Sequence, residues 1–196
     1  MRDPKLDLQN YLAELRQSLV WKLDGISEYD VRRPLTPTGT NLLGLVKHLT
    51  LVELGYLGLI FGRTSPDMPS LDEVMEVPNS DMWATADESR EHILEMYQRA
   101  WQHADETIGA LELDSEGIVP WWREGNQDVS LHHILVHVIT DTARHVGHAD
   151  IVRETIDGAA GMMPGNDNLP PLDVDGWTAH VAQVEAAART AGGVTE

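Results

Sequence analysis

Apolar residues recur every three to four positions over four long stretches of this chain, the spacing that gathers them on one face of a helix. In the first stretch, about Leu6 to Asp24, they are Leu8, Tyr11, Leu12, Leu15, Leu19 and Leu23, and Gly25 can close the helix. Glu28 to Gly39 holds Pro34 and Pro37 and reads as a loop. Thr40 or Asn41 can cap a second helix, whose inward stripe is Leu45, His48, Val52, Tyr56 and Leu59. Gly44, Gly55 and Gly58 lower its intrinsic helicity, so close packing must compensate. Arg63 to Ala84, with Pro66, Pro69 and Pro78, is a long connection, either a crossover over one end of a bundle or a lid.

A third helix begins near Thr85 or Ala86, where Thr85 and Glu88 match a capping box. Its stripe is Ile93, Met96, Tyr97, Ala100, Ala104 and Ile108. Leu113 to Asp128 connects it to a fourth helix, which Ser130 caps and which ends near Gly158. Leu131, Ile134, Val138, Asp141, His145, Ala149 and Val152 line one face of that helix. Pro164 to Asp175 is irregular, and Trp177 to Ala191 is a last amphipathic segment with a weak stripe of Val181, Val184 and Ala188. No period-2 strand pattern, fixed repeat or low-complexity tract is present. The economical reading is all-α: one domain over residues 1–196, a four-helix bundle with long loops and an extra C-terminal helix.

Composition narrows the partners. With 42% hydrophobic and 23% charged residues, the 196-residue chain can build one real core. A net charge of −18 argues against nucleic acid and against anionic membranes, both of which need a basic surface. The chain has no cysteine, which excludes disulfides, thiolate metal ligands and a cysteine nucleophile. Thiol chemistry would need a thiol brought by the substrate. Met1 to Asn10 is charged and lacks an apolar signal core. Leu42 to Phe61 is apolar but is interrupted by Lys47, His48, Glu53 and glycines, short of the roughly 18 unbroken apolar residues of a membrane span. These features place the protein in the cytoplasm.

Three polar residues break the inward stripes: His48 on the second helix, and Asp141 and His145 on the fourth. The last two are one turn apart on one face, so they can bind one ion together. If the two helices are neighbours, two imidazoles and a carboxylate converge into a three-ligand site with open positions. The competing reading makes the histidines hydrogen-bonded core residues, with Asp141 paired to Arg144 or His145. His137 and His148 extend the ladder and can replace a ligand, orient one, or act as a general base. His132 and His133, like His92, His103 and His180, read as solvent-facing. Trp121 and Trp122 either line a pocket mouth or pack on the bundle end, and Met162 and Met163 read as packing or loop residues. Phosphate loops, nucleophile elbows and the HExxH motif are absent.

The run from His137 through Asp141, His145, His148, Asp150, Glu154 and Asp157 to Gly158 resembles the signature of the DinB-like superfamily, in the branch of mini-circle-type proteins and mycothiol S-transferases. Pro120-Trp121-Trp122, the Gly44 to Leu49 segment and Asn166 to Pro171 resemble the same branch. The resemblance covers about residues 5 to 190. It implies an up-down-down-up four-helix bundle, often a homodimer, with a divalent metal near one end. In the related thiol-dependent maleylpyruvate isomerases the ligands are a histidine on the second helix and a Glu-x-x-x-His pair on the fourth. Matched by position, these become His48, Asp141 and His145. Asp141 departs from that pattern by one methylene, and other relatives use three histidines, which keeps His137 and His148 as substitutes.

The implied function is a metal-dependent S-transferase. Zinc, or else nickel, iron or manganese, would favour the thiolate of a low-molecular-weight thiol such as mycothiol, which attacks a small electrophile. His148 would shuttle the proton or orient the cosubstrate. The alternatives are metal-assisted hydrolysis or isomerisation, and a non-catalytic metal-binding bundle.

Overall fold

Helix α1 (Pro4–Trp21) starts behind Asp3, whose side chain accepts from the Lys5 amide, and its chain turns at Gly25 with a positive φ. Helix α3 (Leu42–Tyr56) starts at Asn41, whose side chain accepts from the Gly44 amide. Helix α5 is Arg90–Ala110, and helix α6, Leu131–Asp157, is capped by Ser130 and closed by a left-handed Gly158, the two residues expected at its ends. The computed structural model describes residues 3–194, the Met75 side chain apart. Met1 and Arg2, at the head of the stretch read as lacking a signal core, lie outside it, as do Thr195 and Glu196.

The four long helices form a ring: α1 packs on α6, α6 on α3, α3 on α5, and α5 returns to α1. Polar ties show their directions. Lys5, at the start of α1, donates to the Leu111 carbonyl just past α5, and Arg90, at the start of α5, donates to the carbonyls of Leu23 and Ile26 just past α1. These two helices are therefore antiparallel. Lys47 meets Glu88 near the starts of α3 and α5, and Arg63 meets Thr107 near their ends, so those two run parallel. Arg153, late in α6, donates to the carbonyls of Lys22 and Asp24, so α6 ends where α1 ends. The result is an up-down-down-up bundle.

Leu12 and Leu19 from α1, Leu45 and Leu49 from α3, Tyr97 and Ile108 from α5, and Ile134 and Val138 from α6 are fully buried in one core. Leu42–Phe61 is long and apolar enough to cross a membrane by length and composition, yet 72% of its most apolar window is buried within the bundle. Burial among the other helices accounts for that apolarity.

The connections hold more structure than periodicity shows. Glu28–Arg32 forms a short helix, α2, capped by Ser27. The long connection contains helix α4 (Leu71–Glu76), with a Ser70–Glu73 capping box, and a 3₁₀ turn at Ser80–Met82. α5 begins at Arg90 behind Ser89, a few residues later than the Thr85 cap implied. The Thr85 amide does donate to Glu88, but that bond closes a turn ahead of the helix. Between α5 and α6, β1 (Glu116–Ile118) pairs antiparallel with β2 (Asp128–Ser130). Strands of 3 residues are too short for an alternating pattern to declare itself. Tyr11, placed in the α1 stripe, is exposed. The last helix, α7 (Val174–Gly192), has no buried residue.

Candidate metal centre

The α3–α6 packing brings His48, Asp141 and His145 together, with one potential ligand atom from each lying within 4.8 Å of the other two. Asp141 faces both imidazoles. One of its oxygens is 4.0 Å from His48 Nε2 and the other is 3.7 Å from His145 Nε2. The rings meet edge-on with centroids 4.7 Å apart. Two ligands about 2.1 Å from a common ion stand roughly 3.0–3.5 Å apart in tetrahedral geometry, so a pair 4.8 Å apart would have to close by roughly 1–2 Å.

Three observations bear on whether these residues suit a cation. Asp141 is half-buried, and among the described residues no Arg or Lys pairs with it; Arg144 is exposed and does not reach it. A carboxylate in that setting is costly without a counter-charge. His145 Nδ1 is buried and has no hydrogen-bond partner among the described residues, the kind of orphaned atom that calls for a functional reason. Burial first, then the neighbouring His48, lowers the His145 pKa, which favours the neutral imidazole that ligates metals. The donor set fits a divalent ion of borderline softness.

A fourth residue completes the arrangement. Asp81 Oδ2 lies 2.7 Å from His48 Nδ1 and thereby turns Nε2 of that ring toward Asp141. The hydrogen bond to His48 is also the main reason the Asp81 carboxyl is held below the usual range. Asp81 sits in the 3₁₀ turn of the long connection, and α3 fixes that turn in place. Asn41 donates to the Met82 carbonyl at 3.1 Å. A side chain at Gly44 would overlap that same carbonyl, so glycine permits the close approach. Asp81 was not singled out from sequence. Its partner is far away along the chain, and a lone aspartate in a connection has no periodicity to betray it.

The remaining histidines divide. The His137 ring packs against Tyr56 and Trp122, with centroids 4.8 and 5.0 Å away, and burial lowers its pKa. His148 is exposed and touches the cluster through an edge-on contact with His145 at 5.5 Å. Neither joins the three converging groups. His92, His132, His133 and His180 are exposed as expected, whereas His103 is half-buried and bonded to the Arg63 carbonyl. Met162 lies in the loop after α6, where its carbonyl accepts from Ser18.

A cavity of about 310 Å³ opens beside His48 and Asp81. Residues of α3, the long connection and Trp121 line it, so that connection roofs the site as well as crossing the bundle. Trp121 is thus a pocket wall, while half-buried Trp122 packs against the core.

Residues 7–158 match the family model described as mycothiol-S-transferase. The chain belongs to the mycothiol-S-transferase family. Comparison with curated proteins returns no match. The matched region runs from α1 to the glycine that closes α6, so it contains His48, Asp81, Asp141 and His145 and leaves α7 outside. Membership in this family points to an enzyme, a mycothiol-related transferase, and to a low-molecular-weight thiol as its cosubstrate.

Proposed function

We propose that this protein is a metal-dependent S-transferase that joins a mycothiol-like thiol to a small electrophile. The convergence of His48, Asp141 and His145 beside an open cavity carries this reading. A divalent ion held by these three residues, zinc foremost, would supply the positive charge that favours a thiolate at neutral pH. Asp81 keeps the His48 ring in one tautomer and one orientation. We assign the transfer of the thiol's proton to water to His148, which is exposed and edge-on to His145. The sulfur then bonds to the electrophilic carbon, and the leaving group departs with its electron pair. With no cysteine in the chain, no protein thiol competes with the cosubstrate.

The test is metal analysis of the purified protein, combined with an assay for thiol-dependent loss of a reporter electrophile. The expected result is one divalent ion per chain, with turnover that needs both the thiol and the ion. Stoichiometric metal with hydrolysis and no thiol dependence would overturn the reading in favour of a metal hydrolase. Metal without any turnover would leave a metal-binding bundle.

Asp81 gives a second test. Asp81→Ala should weaken metal affinity about 10–100-fold, the usual effect of removing a group that orients a ligating histidine. Titration against a competing chelator measures it. Unchanged affinity would show that the His48–Asp81 contact does not tune the site.

A further inference from the structure

We propose that the cavity beside His48 is the subsite for the electrophile and that it selects a flat, apolar molecule such as a single aromatic ring. The inference rests on the proposed function for the reaction, and on the cavity alone for the ligand class. The walls are Gly55, Tyr56, Met68, Leu71 and Trp121, with His48 at one end. Two of these walls are aromatic. Tyr56 and Trp121 meet edge-on with centroids 5.3 Å apart.

The Trp121 indole N–H and the Tyr56 hydroxyl oxygen are already engaged, which leaves the hydroxyl's own proton to offer. The indole N–H of Trp121 donates to the Tyr56 hydroxyl at 3.0 Å, and that of Trp122 donates to the same oxygen at 2.9 Å. Apart from that hydroxyl, the cavity presents carbon along most of its length and polar atoms at the His48–Asp81 end. A polar ligand seated there would give up hydrogen bonds to water with little replacement, whereas an apolar one gains from burial. A ring seated in the cavity would bring its reactive carbon to the His48 end, where the thiol sulfur would arrive.

Gly55 sets the depth of the cavity. A Cβ on Gly44 would overlap backbone, and one on Gly58 would press on the Leu54 carbonyl, so packing explains both glycines. A Cβ on Gly55 would meet only the Trp121 ring, at 3.7 Å, an ordinary contact. Helix packing does not require glycine there. The space it leaves is the cavity itself.

The experiment uses Gly55→Leu, which fills that space and also replaces a weak helix former with a strong one. Nitrobenzene, an unreactive aromatic quencher, is titrated against tryptophan fluorescence. The wild-type protein should show saturable quenching, and its dissociation constant should rise at least tenfold in Gly55→Leu. In parallel, turnover with mycothiol is compared for 1-chloro-2,4-dinitrobenzene and for iodoacetamide. With the first, the carbon–sulfur bond forms at the ring carbon, the carbon–chlorine bond breaks, chloride leaves with the electron pair, and the thiol's proton passes to solvent. The ratio of the two kcat/KM values should fall at least tenfold in Gly55→Leu. Quenching that never saturates, or a dissociation constant equal in both proteins, would overturn the subsite. Saturable quenching lost in Gly55→Leu, with no thiol-dependent turnover of either electrophile, would uphold the apolar subsite and overturn the proposed reaction.

Discussion

Arg16→Ala will destabilise the bundle by about 3–5 kcal/mol, because it strands a buried carboxylate. Arg16 is 2% exposed and Glu53 is fully buried. The guanidinium donates through Nε at 2.9 Å and through Nη2 at 2.5 Å to the two oxygens of Glu53, and through Nη1 at 2.9 Å to Asp105. Burial pulls the Arg16 pKa down, but Glu53 and Asp105 outweigh it and hold the group charged. Burial pulls Glu53 the other way, above the usual carboxylate range, against the attraction of Arg16. The bidentate geometry decides in favour of the ion pair, since two donors meet two oxygens. A thermal melt should show the loss as a fall of roughly 6–20 °C. Arg16→Met combined with Glu53→Leu removes both charges and should recover most of that loss. A melt for Arg16→Ala indistinguishable from wild type would show that the buried pair contributes nothing net to stability. The pair also matters to the site. It ties α1 to α3, with Asp105 adding α5, and so fixes the rotation of α3, the helix that presents His48.

The long helices were legible because each carries its own evidence. Ser130, the stripe from Leu131 to Val152, and Gly158 define α6 by local chemistry, and the structure keeps both ends. His48, Asp141 and His145 stood out for the same reason: each is a polar break in an apolar stripe, and two of them are one helical turn apart. What stayed hidden was long-range or brief. The Arg16–Glu53 and His48–Asp81 pairs each join residues distant in sequence, and nothing near either partner announces the other. The two strands are shorter than the pattern that would reveal them. α4 differs, because Ser70-Leu71-Asp72-Glu73 carries the capping-box signature in plain sight, and the neighbouring prolines masked it. At the start of α5 the Thr85–Glu88 pairing was right as a bond and wrong as a boundary. Glu88 also reaches Lys47 on α3, and Ser89 is the cap.

His145→Ala should abolish stoichiometric metal binding and lower thiol-dependent turnover by at least about 100-fold, beyond the usual loss for a residue that only orients a ligand. Asp141→Asn should come close to it, because the carboxylate faces both imidazoles and no Arg or Lys among the described residues pairs with it. The decisive comparison is with the two neighbouring histidines on the same helix. His137 packs against aromatic rings and His148 faces solvent, so alanine at either position should leave the metal content intact. His148→Ala should then slow turnover while metal is retained, if it carries the proton. The same ion would be lost in acid. Protons compete with it for its imidazole ligands, so the amount bound should fall as the solution is acidified. Burial favours neutral His145 and moves its own share of that loss to lower pH. If metal persists in His145→Ala and disappears in His137→Ala, the ion sits one or two turns along α6 from the position assigned to it. The ladder of histidines would then have been read in the wrong register.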